Sequence, residues 1–248
     1  MNRIIGVLGI ALATAVAIPA EAQSVKDALN KIKNSAGGKG GTSRSSLTNA
    51  EIVGGLKEAL QIGARNASGR LSTVNGFFGN ALIKVLMPPE AKQVESTLRR
   101  VGMGSLVDKA ILSMNRAAED ASGKAVNIFV KAISGMTIQD GLSILTGAND
   151  AATNYLRQKT TQALTAEFRP VISNSLNKVN ATAYWNQVFT AYNRLPTTRN
   201  KVNPDLTSYV TERALHGLFV TIADEEQEIR SNPAARTTDL LRKVFGAK

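Results

Sequence analysis

The stretch from Asn203 to Arg230, NPDLTSYVTERALHGLFVTIADEEQEIR, says most about the fold. Asn203-Pro204-Asp205 reads as a helix start: a capping side chain, a proline where no N–H is needed, and an acid in the first turn. From Pro204 to about Arg230 the spacing is helical. The middle is apolar on nearly every side, through Leu206, Tyr209, Val210, Ala214, Leu215, Leu218, Phe219, Val220 and Ile222. A helix that is apolar all round is buried. Other helices must therefore enclose it, and the expected fold is a single all-α domain around a buried central helix.

Outward from that helix the pattern stays helical. On the C-terminal side Asn232-Pro233 repeats the start signal, and Leu240, Leu241, Val244 and Phe245 form a last apolar face. On the N-terminal side Thr182 to Arg194 carries Tyr184, Trp185, Val188, Phe189 and Tyr192. Before it, Asn149 or Asp150 caps a helix running to Phe168 and Arg169, with Pro170 expected as the first residue of a further helix to Val179. Thr137 and Asp140 open a short helix that stops at Gly147. Ser105 to Ile133 places Val107, Ala110, Ile111, Met114, Ala118 and Ala121, then Ile128, Phe129 and Ala132, at helical spacing, with a break expected at Gly123. Glu90 to Val101 is another helix, with Gly102 and Gly104 where a left-handed cap would end it.

Val74 to Met87 (VNGFFGNALIKVLM) shows no clear period. It reads as a partly extended loop covering the core, ended by Pro88-Pro89, and residues 74–87 are the one place with room for a short strand pair. The helical domain starts at Leu47. Thr48 and Glu51 make a capping box, Leu47 is placed to staple to Ile52, and Ile52, Val53, Leu56, Ala59, Leu60 and Gly63 follow.

The N-terminus is of another kind. Arg3 precedes an apolar run from Ile4 to Ile18, shorter than the roughly 20 residues a bilayer span takes. Pro19 ends the run, and Ala20-Glu21-Ala22 fits a small-x-small cleavage pattern. Residues 1–22 are expected to be a secretory signal cut after Ala22, leaving a periplasmic or secreted chain that begins at Gln23 and has no later spanning segment. Residues 23–46 hold a short amphipathic segment, with Val25, Ala28, Leu29 and Ile32 on one face and Lys26, Lys31 and Lys33 flanking it, then the Gly/Ser linker SAGGKGGTSRSS. Residues 47–248 form the helical domain.

The chain has no cysteine, which excludes disulfides, thiol catalysis and cysteine-held metals. Its net charge is +11. Removing residues 1–22 takes away one Arg and one Glu, so the excess persists. It points to an anionic lipid, a cell-wall fragment or an acidic protein as partner, or to solubility alone. The basic residues are scattered, with no run of five.

Four stretches together carry a resemblance: LVDKAILSMNRAAEDA from Leu106, MTIQDGLSIL from Met136, GANDAATNY from Gly147, and NPAARTTDLLRKVFG from Asn232. In content and order they resemble the bacterial domain-of-unknown-function 4197 family over roughly residues 47–246. The resemblance implies a helical fold and an exported protein. It implies no catalytic residue.

Four constellations could carry chemistry. On the helix through residue 115, Asn115 and Glu119 lie together on a flank, Arg116 points away from the apolar stripe, and Asp120 follows one turn later. Such carboxylates, with Asp140 as a third, could bind a cation or do acid–base work, or simply face solvent. Asp224-Glu225-Glu226-Gln227-Glu228 places acids at a helix C-terminus, against the dipole. The only histidine, His216, lies one turn from Glu212 and reads as a satisfied core residue or half of a pair. Tyr184 and Trp185, with Phe189 and Tyr192, could stack on a ligand or belong to the core. No metal-binding spacing, cofactor motif or specific nucleic-acid signature is present.

The resulting expectation is a non-catalytic periplasmic binding or scaffolding protein for an anionic or amphiphilic envelope ligand. Ligand contacts would involve Asn115, Arg116, Tyr184 and Trp185, with Lys26, Lys31 and Lys33 as surface contacts. An envelope hydrolase using Glu119, Asp120 or Asp140, and a structural oligomeric component, are the alternatives. A polar pocket holding two of those carboxylates favours the hydrolase; an apolar groove favours binding.

Overall fold

A computed structural model of the chain describes residues 48–193, 201, 205–232 and 242, with the side chains of residues 184, 187, 188, 191 and 192 not described. The readings for the signal, residues 23–46, Leu47, Asn203-Pro204 and the segment after Asn232 fall outside the described residues.

Eight α-helices and one 3₁₀ turn make up the described chain, with no strand among the described residues. They are α1 (Asn49–Leu71), the 3₁₀ turn Pro89–Ala91, α2 (Lys92–Arg100), α3 (Gly104–Ser122), α4 (Ala125–Ser134), α5 (Ile138–Thr146), α6 (Ala151–Lys178), α7 (Ala181–Asn193) and α8 (Leu206–Ser231). The fold is all-α. The most extensive packing joins α6 to α8. Around that pair lie α3, which touches both, α1 against α8, α4 and α5 against α6 and α1, and α7 against both long helices. The quoted helix is thus central, as its all-round apolar middle requires, but α6 shares the centre. Val210, Ala214 and Leu218 of α8 and Leu164, Phe168, Ile172 and Leu176 of α6 are all fully buried.

Several boundaries follow the sequence signals closely. Thr48 Oγ1 accepts from Glu51 N, and Glu51 returns the bond to Thr48 N at 2.8 Å. Thr137 and Asp140 form the same reciprocal box at the start of α5. The expected break at Gly123 separates α3 from α4, where the N–H groups of Gly123 and Lys124 both turn back onto the Ala121 carbonyl.

Three boundaries differ from expectation. Pro170 does not open a new helix but lies inside α6. An interior proline costs about 3 kcal/mol. The buried stripe nevertheless continues past it through Ile172 and Leu176, each contributing roughly 1.5–3 kcal/mol on burial, which offsets the break. Gly102, at φ +83°, takes the left-handed position after α2, with Met103 N on Leu98 O and Gly102 N on Arg99 O. Gly104 has no part in that cap and is the first residue of α3. The central helix is capped by Asp205, whose side chain accepts from Ser208 N, so Asp205 is the cap and not a first-turn acid.

Residues 74–87 fold as turns and irregular chain over the core, without the strand pair. Phe77, Ile83 and Val85 are fully buried. Asn75 adopts φ 69°, which asparagine tolerates. At Gly76 an added Cβ would lie 2.5 Å from the Arg70 carbonyl oxygen, so no larger residue fits.

No single described helix is long and apolar enough to cross a membrane; α4 and α5 together reach that composition only as a pair bent by 105°.

Candidate functional site

The polar cluster on α3 turns out to be a clamp. Asn115 is fully buried; its Oδ1 accepts from Val85 N at 2.8 Å, and its Nδ2 donates to Val85 O and Ile111 O. Every hydrogen-bonding group of that amide is therefore taken. Glu119 is 3 % exposed, and its Oε1 accepts from both Phe77 N and Phe78 N at 3.1 Å. Its Oε2 accepts from Arg116 at 2.5 Å, while the other arm of Arg116 reaches Asn75 Oδ1. These three residues hold residues 75–85 against α3. Neither a solvated face nor a cation site describes them: irregular backbone over a core needs donors and acceptors that it cannot supply itself.

The acids at the end of α8 have a similar explanation. Glu226, 5 % exposed, accepts from Ala152 N, Thr153 N and Thr153 Oγ1, so it caps α6 from another helix. Asp150 occupies the N-cap position of α6 but its side chain makes no capping bond. Arg230 pairs with Glu226 at 2.8 Å and donates to Ile144 O at the end of α5. Glu225 pairs with Arg70 of α1. Acids that oppose one dipole thus complement another. Among the described residues no group of three metal-binding side chains occurs.

Asp140 stands apart from Glu119 and Asp120. It serves the α5 capping box, and its bonds from Thr137 hold its carboxyl below the ordinary value. His216 is exposed, which corrects the expectation of a core histidine, and no hydrogen bond or ion pair joins it to Glu212. Partial burial, with Arg213 and Arg157 nearby, lowers its pKa. Lys26, Lys31, Lys33 and the Tyr184 side chain lie outside the described residues.

The remaining candidates meet at a groove. A cavity of about 640 Å³ opens between α2, α3, the end of α6 and the start of α7. Its lining is almost wholly apolar: Val94 and Leu98 from α2, Leu106 and Leu112 from α3, Val179 after α6, and Met87 from the irregular segment. Trp185 and Phe189 form the wall on α7, their rings 4.3 Å apart, and Trp185 stacks on Tyr209 at 6.1 Å. Tyr209 in turn donates to Leu86 O at 2.7 Å, so the wall is tied to the clamped segment.

Few polar groups line it: the exposed Lys109, Lys178 and Asp120, which place charge at the mouth, and the half-buried Arg116, Ser113 and Ser175, the last donating to Asp120. Lys109 and Lys178 form no ion pair among the described residues. The groove thus combines an apolar floor with unpaired cations at its mouth. Of the three candidate carboxylates only Asp120 reaches it. The sequence reading had Trp185, Arg116 and Asp120 but missed Leu106, Leu112, Lys109, Lys178 and Val179. One signal was available: Leu106 and Leu112 are large, apolar and off the stripe of α3 that faces the core.

Residues 46–246 match the profile of a family described as "Protein of unknown function (DUF4197)". No curated protein and no solved structure matches the chain.

Proposed function

The chain belongs to the DUF4197 family, and on that premise we propose that it is a non-catalytic binding protein of the bacterial envelope. Its groove takes a single-chain amphiphile with an anionic head, and it acts in the periplasm or outside the cell after residues 1–22 are removed. The observation that carries this reading is the apolar groove of about 640 Å³ with Lys109 and Lys178 unpaired at its mouth. That volume lies within the range of roughly 300–1,000 Å³ typical of ligand pockets. Van der Waals contact and water release would hold the hydrocarbon chain, and the lysines would hold the head.

The hydrolase reading has less support. A pair of working carboxylates should share a pocket, whereas Glu119 is taken up by Phe77 and Phe78, and Asp140 by Thr137. Asp120 and Ser175 sit together at the rim without a histidine to complete a set.

Trp185 is the only tryptophan and lines the groove, so its emission reports occupancy directly. Octyl, decyl and dodecyl phosphate are titrated below their micelle concentrations. Each buried methylene contributes about 0.8 kcal/mol, so affinity should rise about fourfold per methylene until the groove is full. The matching alkyl trimethylammonium ions should bind more weakly. A Trp185 signal that ignores chain length, or no signal at all, would refute the reading.

A further inference from the structure

We infer that the corner between α2 and α3 is a membrane-docking edge that seats the mouth of the groove on an anionic bilayer. The inference extends the amphiphile-binding reading by stating where the ligand comes from.

The corner spans residues 101–106, and three of those six are apolar and outward-facing: Val101 is 65 % exposed, Met103 46 % and Leu106 46 %. Their outward position is built in. Gly102 takes a positive φ, and the paired bonds from Met103 N to Leu98 O and from Gly102 N to Arg99 O fix the turn that presents them. The apolar surface continues into the groove, because Leu106 lines it, and so do Leu112 and Val179, 36 % and 57 % exposed. Exposed apolar residues joined in one patch mark a contact surface more often than scattered ones do.

The charges around the patch select its partner. Arg100 adjoins Val101, Lys109 follows Leu106 by one helical turn, and Lys178 adjoins Val179. None of the three is in an ion pair among the described residues. Arg99 is different, since Glu95 and Asp108 neutralise it. The edge is thus apolar in the middle and basic at its margins, which suits side chains dipping into the acyl boundary while cations meet phosphates. A second copy of the chain is a poor partner. In a two-fold interface the same patch meets itself, so the margin that carries Arg100, Lys109 and Lys178 would meet an equally basic margin.

Docked this way, the groove opens toward the bilayer, and an amphiphile can pass from lipid to groove without crossing water. That path matters because each methylene exposed in transit costs about as much as the groove returns.

The test is co-sedimentation of the mature chain with phosphatidylglycerol vesicles and with phosphatidylcholine vesicles at low salt. All chains carry Lys26→Gln, Lys31→Gln and Lys33→Gln, so that the basic N-terminal segment does not mask the difference. Strong binding to phosphatidylglycerol alone is expected. Lys109→Gln with Lys178→Gln should weaken it about twenty-five-fold, from roughly fivefold per lysine. Val101→Ser with Met103→Ser should weaken it at least tenfold. Neither Val101 nor Met103 lines the groove, so the second pair should leave the Trp185 response to decyl phosphate unchanged. Equal vesicle binding by the parent and the Val101/Met103 variant overturns the proposal, and so does equal binding to the two lipids. A parent chain that is dimeric in solution, and becomes monomeric with Val101→Ser and Met103→Ser, overturns it in favour of self-association. Vesicle binding that depends on the corner, with no Trp185 response to decyl phosphate, keeps the docking edge and rejects the groove reading alone.

Discussion

Replacing Glu119 by alanine tests whether the segment over the core is held by side chains, as the clamp implies. The carboxylate accepts from Phe77 N and Phe78 N, each at 3.1 Å, and alanine leaves both without a partner. An orphaned N–H costs roughly 1–3 kcal/mol, nearer the top of that range when water cannot reach it. Phe77 is fully buried and Phe78 half-buried, so about 3 kcal/mol is expected for the two together. Loss of the Arg116 contact adds little, because that side chain is 36 % exposed and keeps Asn75. A domain of this size shifts by about 2–4 °C per kcal/mol, so Tm should fall by roughly 10 °C. Glu119→Gln retains an acceptor oxygen and should lose only about 1 kcal/mol. Urea titration followed by circular dichroism measures both, and native-state hydrogen exchange at the Phe77 amide shows whether the loss is local. Glu119→Ala within 1 kcal/mol of the parent, with Phe77 protection unchanged, would refute the clamp.

Glycines give opposite signs at two helical positions. Gly54 is exposed with nothing within 4 Å of an added Cβ, so Gly54→Ala should stabilise by about 0.5–1 kcal/mol. At Gly141 the new Cβ would sit 2.7 Å from the Val53 methyls, so Gly141→Ala should destabilise by about 1–3 kcal/mol; thermal melts in the reverse order would contradict the packing of α1 on α5. Burial pushes the Asp205 carboxyl up, but bonds from Ser208 and Arg169 outweigh it and hold the folded-state pKa below the ordinary value. Its contribution is therefore complete above about pH 4 and is lost as pH falls through the folded-state pKa; Asp205→Asn should reduce the acid sensitivity of Tm, and an unchanged pH profile would remove Asp205 from that role. N-terminal sequencing of the protein from its native host should begin at Gln23, and an intact Met1 in the envelope fraction would end the cleaved-signal reading.

The all-α class, the break at Gly123, the Thr48–Glu51 capping box and the helix start at Thr137 were legible in the sequence, because each rests on contacts within four or five residues. Thr48 meets Glu51 whatever the rest of the chain does, and the all-round apolar middle of Leu206–Ser231 can be satisfied only by burial. Pro170 was misread because local propensity favours ending a helix there, whereas the stripe through Leu164, Phe168, Ile172 and Leu176 is held by other helices. Asn115, Arg116 and Glu119 stood out as polar residues in an unusual place. Asn115 and Glu119 bind backbone 30 to 42 residues away, and Arg116 links Glu119 to Asn75, so no local pattern could show the clamp. The acids of α8 likewise broke a helix rule that only the position of the α6 N-terminus explains.

By itself, then, the sequence determined which segments are helices, where most of them end and which helix must be buried, since covalent geometry and nearest-neighbour bonds decide those. The groove was decided by tertiary structure alone. Leu106, Leu112, Val179 and Trp185 lie on three elements with no shared periodicity, and a concave surface exists only once α2, α3, α6 and α7 have packed. Close-packed helices fill space where their ridges match, and between these elements the chain leaves an apolar gap of about 640 Å³.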